Sequence, residues 1–119
     1  LNKKNIHFED PYSKRCYCYI SDFTDALIKI ILNTSGFKIF NCGNSIEEYD
    51  AYGLSKCLIK EFKDIKPNFT FNDKIKNDNK QRIIRARPDI SLLRSIGWKP
   101  KVNIAIGFRN TYNFFLNLL

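Results

Sequence analysis

The chain has 119 residues, 44% of them hydrophobic and 27% charged, with a formal net charge of +8. That length limits it to one domain with a modest core, and the ordinary apolar content argues against wholesale disorder. No apolar run approaches the ~20 residues that span a bilayer, and Lys3 and Lys4 precede no signal-peptide core, so no membrane role is predicted and the cytoplasm is the expected location. The sequence opens on Leu1 and has no Met, which reads as an excerpt or truncated form of a larger protein.

In chain order, Ile6-His7-Phe8 reads as a short strand, with His7 as an ordinary strand residue because no metal or catalytic partner stands at motif spacing. Lys14 to Ile20 is β-prone. Phe23, Ala26, Leu27, Ile30 and Ile31 then recur at helical spacing, predicting a helix from about Asp22 to Leu32 that either Ser21 or Asp22 can cap. Ser35-Gly36 turns the chain into a strand over Phe37 to Asn41, after which Gly43 is expected to supply a positive φ. A second helix is predicted from Asp50 to about Phe62, on Leu54, Leu58 and Phe62.

Pro67 to Asn72 predicts another strand and residues 73–81 a polar loop. Arg82, Arg85 and Arg87 follow; in an extended segment Arg85 and Arg87 project to one face. Pro88 keeps Arg87 out of a helix, Asp89 can cap the turn that begins next, and Ile90, Leu93 and Ile96 mark a short helix stopped by Gly97. From Val102-Asn103 a last helix presents Ile104, Phe108, Tyr112, Phe115, Leu116 and Leu119 on one side, a face that needs a large partner surface.

Charge and cysteines narrow the chemistry. Between Lys74 and Lys101 nine cations face only Asp78 and Asp89, so that segment holds +7 of the +8. It reads as a polyphosphate pocket, a nucleic-acid footprint or a solvated face. Cys16, Cys18, Cys42 and Cys57 lack the paired spacing of a zinc site and are expected to be small buried thiols.

Four blocks resemble the NAD-dependent epimerase/dehydratase family of extended short-chain dehydrogenases, from about Arg15 to the end. They are Arg15-Cys-Tyr-Cys-Tyr-Ile-Ser-Asp22, Phe40-Asn-Cys-Gly43, Arg85-Ala-Arg-Pro-Asp-Ile-Ser91 with Gly97-Trp-Lys-Pro-Lys101, and Gly107-Phe-Arg-Asn-Thr-Tyr112. Cys16 departs from the Asp or Ser found in many members. Tyr52-Gly-Leu-Ser-Lys56 imitates the family's catalytic Tyr-x-x-x-Lys, but it lies downstream of the Arg15 block, whereas the family's dyad lies upstream. The glycines at 36, 43, 53, 97 and 107 make no phosphate-cradling turn.

The resemblance implies an α+β fold for 1–119: a small, single C-terminal substrate-binding domain of about three main helices, one short helix and short strands, without the Rossmann domain. It implies a nucleotide-diphosphate-sugar ligand gripped by Arg15 with Arg82, Arg85 or Arg87, and Arg15 and Arg85 are expected to share a pocket. No catalytic, cofactor or metal residue is assigned, and NAD is implied only for the full-length family enzyme. A missing Rossmann domain or partner chain is the expected partner, with a homodimer left open. Two rival readings stand: a small basic nucleic-acid-binding protein stacking bases on Phe69, Phe71 and Trp98, or a non-catalytic remnant.

Overall fold

The computed structural model describes residues 5–74 and 84–118. Arg82, Leu119 and the predicted loop beyond Lys74 lie outside these residues. The element order is β1 (Ile6–Phe8), β2 (Lys14–Arg15), α1 (Ile20–Asn33), α2 (Ala51–Glu61), β3 (Phe69–Phe71), β4 (Arg85–Ala86), α3 (Ser91–Ser95) and α4 (Ile104–Leu116). β1 pairs in parallel with β3, and β2 with β4. Parallel pairs need long crossovers, and here they are supplied by the helices and loops between the strands. The predicted α+β composition of three main helices, one short helix and short strands is present.

Local chemistry sets most helix boundaries. Asp50 caps α2 by accepting the Gly53 N–H at 2.7 Å, and Asn103 caps α4 by accepting the Ile106 N–H at 2.9 Å. α3 ends as predicted at Gly97, whose φ of +80° suits glycine; the Trp98 N–H reaches the Leu93 carbonyl and the Gly97 N–H the Arg94 carbonyl. That is the paired bonding of a Schellman stop. Asp89 accepts the Ser91 N–H at 2.9 Å, so it does hold the turn that opens α3.

Three expectations need correction. Of the β-prone run Lys14 to Ile20, only Lys14–Arg15 joins a ladder, because α1 begins at Ile20. Residues 37–41 join no ladder among the described residues, since no strand lies beside them. Asp22 is not the cap of α1. Tyr19 holds that position without a side-chain bond, and Asp22 lies inside the first turn at 3% exposure. Its carboxylate accepts the Lys101 and Val102 N–H groups, each at 2.9 Å, and its carbonyl accepts the Trp98 indole N–H at 2.9 Å.

Two small cores result. One gathers Ala26, Ile90, Leu93 and Trp98 from α1, α3 and the turn after it; the other gathers Leu54, Leu58, Phe62 and Ile104 from α2 and α4. The radius of gyration is 16.9 Å, against ~13.5 Å expected for a compact chain of this length. The predicted apolar stripe of α1 is split: Ala26 is buried and Ile30 packs against the first core, while Phe23, Leu27 and Ile31, with Ile20, are exposed, as are Phe37 and Ile39 beyond the helix. α4 repeats the pattern, with Ile104 buried but Phe115 and Leu116 exposed.

Removing the Asp22 carboxylate strands two backbone donors in a half-buried loop. Asp22→Ala is expected to lower unfolding stability by about 2–4 kcal/mol, and Asp22→Asn by less because one acceptor oxygen survives. Urea denaturation followed by Trp98 fluorescence measures both.

Candidate diphosphate-binding site

The basic residues converge on the β2–β4 ladder, where Lys14 lies opposite Arg85 and Arg15 opposite Ala86. Partners across a parallel ladder share a face, and neighbours along a strand alternate. Lys14 and Arg85 therefore share one side, continued by Cys16 and Arg87, while Arg15 and Tyr17 occupy the other. The electrostatics agree: Glu48, Arg87 and Arg85 act on the Cys16 thiol, and Arg15 acts on the Tyr17 phenol. Arg85 and Arg87 thus both lie close enough to act on Cys16. The register sets Arg15 opposite Ala86, one residue out of step with Arg85.

Arg15 is half-buried and held at both ends. Its N–H donates to the Tyr49 carbonyl at 2.9 Å and its carbonyl accepts the Tyr49 N–H at 3.0 Å, while its guanidinium Nη1 donates to the Lys14 carbonyl at 2.9 Å. Arg85 is not a bare cation either. Its Nε donates to Glu48 at 2.7 Å, and this bond holds the Glu48 carboxyl below its ordinary value, with the Arg85, Lys14 and Arg87 charges adding to the effect. No sequence signal singled out Glu48, which the Arg15–Tyr49 bridge carries to the ladder.

Arg87 opens onto a cleft of about 370 Å³ that it lines with Ser45, Pro88, Asp89 and Arg94. The floor of this region depends on Gly43. Its φ is not positive, contrary to expectation; instead a Cβ there would stand 2.7 Å from Pro88 Cγ. The Asn-Cys-Gly turn therefore owes its glycine to close approach by the Arg-Pro segment.

The aromatic and catalytic look-alikes are committed elsewhere. Trp98 is 1% exposed and bonded to Asp22, and Phe69 and Phe71 stack on Phe8, so the proposed base-stacking set is engaged in packing. Tyr52 donates its phenol hydrogen to Asp73, which also accepts from Tyr12 at 3.1 Å. That bond raises the Tyr52 pKa, the opposite of what a neighbouring lysine does to a catalytic phenol. His7 bonds Thr70 at 2.8 Å across the β1–β3 ladder, as an ordinary strand residue.

A dinucleotide needs a glycine turn leading a strand into a helix N-terminus. Among the described residues α1 is entered through Tyr19, α2 through Asp50 and α4 through Asn103, so these entries do not fit that group. The described residues also hold no cluster of metal-ligating side chains and no helix long and apolar enough to cross a membrane.

No family model matches the chain. It is 31% identical over 118 residues to the bifunctional polymyxin resistance protein ArnA of Wigglesworthia glossinidia brevipalpis, covering 87% of this chain and 18% of that protein. It is 30% identical over 102 residues to the putative GDP-L-fucose synthase 2 of Arabidopsis thaliana, covering 86% of this chain and 29% of that one. The chain thus spans less than a third of either relative. Among solved structures, UDP-glucose 4-epimerase from Bifidobacterium longum in complex with NAD+ and UDP shares the fold with a TM-score of 0.75 and 18% identity, over 98% of this chain and 36% of that one.

The Arg85–Glu48 bond is directly testable. A carboxyl whose folded pKa is depressed contributes stability above its unfolded pKa and loses it as pH falls through the folded value. The Glu48 carboxyl should titrate below the ordinary glutamate range by NMR, and Arg85→Gln should move its midpoint upward. Gly43→Ala should cost about 1–3 kcal/mol through the clash with the Pro88 ring, read as a lower urea midpoint.

Proposed function

The chain belongs to the NAD-dependent epimerase/dehydratase family of extended short-chain dehydrogenases, and from that premise we propose that it is the nucleotide-sugar-binding portion of such an enzyme. The observation that supports this reading is that Arg15 and Arg85 lie in the β2–β4 ladder and Arg87, just beyond it, lines the 370 Å³ cleft. In open sheets ligands sit beyond the carboxyl ends of parallel strands. β2 and β4 end together at Arg15 and Ala86, so a diphosphate placed there meets Arg87 from one face and Arg15 from the other. Arg82 is the further member of the proposed set.

Guanidinium groups suit this task because their forked donors match phosphate oxygens and stay charged at any physiological pH. Arg85 has a second duty, since it neutralises Glu48. Without it that carboxylate would repel the phosphates. The chain alone supplies grip and no redox chemistry: NAD and the groups that move hydride and protons belong to the cofactor-binding part of the full-length enzyme. The bare stripe of α1, with Phe37 and Ile39, is the surface on which we place that part.

Calorimetric titration of UDP and GDP into the 119-residue chain tests the reading. Saturable binding is expected, weakened roughly tenfold or more by Arg87→Ala, by Arg15→Ala and by Arg85→Ala, the loss of a charge-assisted contact. Unchanged affinity in all three variants would overturn the assignment, and one-site micromolar binding of NAD would restore Tyr52 and Lys56 as candidates for chemistry.

A further inference from the structure

Two of the four cysteines, which the sequence treats as inert fillers, meet in space. Cys18 and Cys42 place their sulfurs 4.0 Å apart and share a hydrogen bond across a separation of 24 residues. Both pack against the core cluster of Ala26, Ile90, Leu93 and Trp98. Asp22 acts on both of them, whereas Cys16 feels Glu48, Arg87 and Arg85, and Cys57 feels Glu47, Glu61 and Lys60.

We propose that Cys18 and Cys42 are a redox-modification site, closed into an intramolecular disulfide by a small disulfide oxidant such as glutathione disulfide. A disulfide has its sulfurs ~2.05 Å apart, so the pair needs about 2 Å of approach. The two positions bracket α1 and the unpaired residues 37–41. A bond between them staples the base of the excursion that carries the exposed Phe23, Leu27, Ile31, Phe37 and Ile39. Cys18 also lines a cavity of about 200 Å³ with Tyr17, Tyr19 and Phe108, so the staple fixes one wall of it.

The exchange balances without another reactant. Burial, and the Asp22 carboxylate beside them, raise both thiols. One thiol of the pair gives its proton to solvent, and its thiolate attacks one sulfur of glutathione disulfide, forming a mixed disulfide and releasing one glutathione thiolate. The second thiol then gives its proton to solvent and attacks the protein sulfur of that mixed disulfide, expelling the second glutathione. Two protein thiols are oxidised and one glutathione disulfide is reduced to two glutathiones.

The test is chemical and independent of nucleotide binding. The 119-residue chain is incubated with excess glutathione disulfide, alkylated, and mapped by mass spectrometry. The expected product has lost two hydrogens, retains alkylatable Cys16 and Cys57, and yields a peptide cross-linked between positions 18 and 42. Its thermal midpoint should rise by roughly 5 °C, reversed by dithiothreitol. Cys18→Ser and Cys42→Ser should each abolish the cross-link, and Cys57→Ser should keep it. Four alkylatable thiols after oxidation, glutathione adducts as the only products, or a cross-link elsewhere overturn the site. A bond that forms but lowers the midpoint overturns the staple.

Discussion

The arrangement depends on one buried carboxylate. Asp22 projects from the first turn of α1 and gathers the Lys101 and Val102 N–H groups, while its own carbonyl takes the Trp98 indole. A charge-bearing group at 3% exposure is tolerated because every bond it makes is to an oriented donor. The three contacts join residues some 76 to 80 positions apart. They set the angle at which the Gly-Trp-Lys-Pro exit meets α1, and so where α4 begins.

From that joint the candidate site follows. α3 and its Schellman stop hold Leu93 and Trp98 in the first core, and the segment just before α3 carries Arg85 and Arg87 to the β2–β4 ladder. Gly43 lets Pro88 sit against the Asn-Cys-Gly turn. The arginines are thus presented by short backbone pairings on an otherwise packed frame, and Glu48 keeps one of them oriented. Anion binding asks for this combination of fixed donors and partial charge compensation, because loose cations lose side-chain entropy on binding.

The exposed apolar surface is the other organising fact. A helix whose stripe of Ile20, Phe23, Leu27 and Ile31 faces outward, followed by an extended segment without a ladder, has the residue pattern of an interior element in an exterior position. The relatives and the epimerase structure are much longer than this chain, which covers 18–36% of their length. An amphipathic period reports only that a helix has an apolar side; what that side meets depends on the remainder of the assembly.

Local chemistry accounts for what the sequence determined by itself. The starts of α2 and α4 near Asp50 and Asn103, Gly97 as a stop, the apolar period of α2 and the strands at Ile6–Phe8 and Phe69–Phe71 all rest on contacts within a few residues, or on a period that either secondary structure must satisfy. The epimerase/dehydratase resemblance was legible for the same reason, as short blocks in order. Tertiary structure alone decided the rest. Asp22 reads as a cap until distant N–H groups claim it. Arg15 reads as the partner of Arg85 until the register of β2 and β4 pairs Lys14 with Arg85 and Arg15 with Ala86. Glu48, and the meeting of Cys18 with Cys42, carry no motif at all. Each of these depends on which distant backbone arrives alongside, and side-chain type and spacing do not encode that arrival.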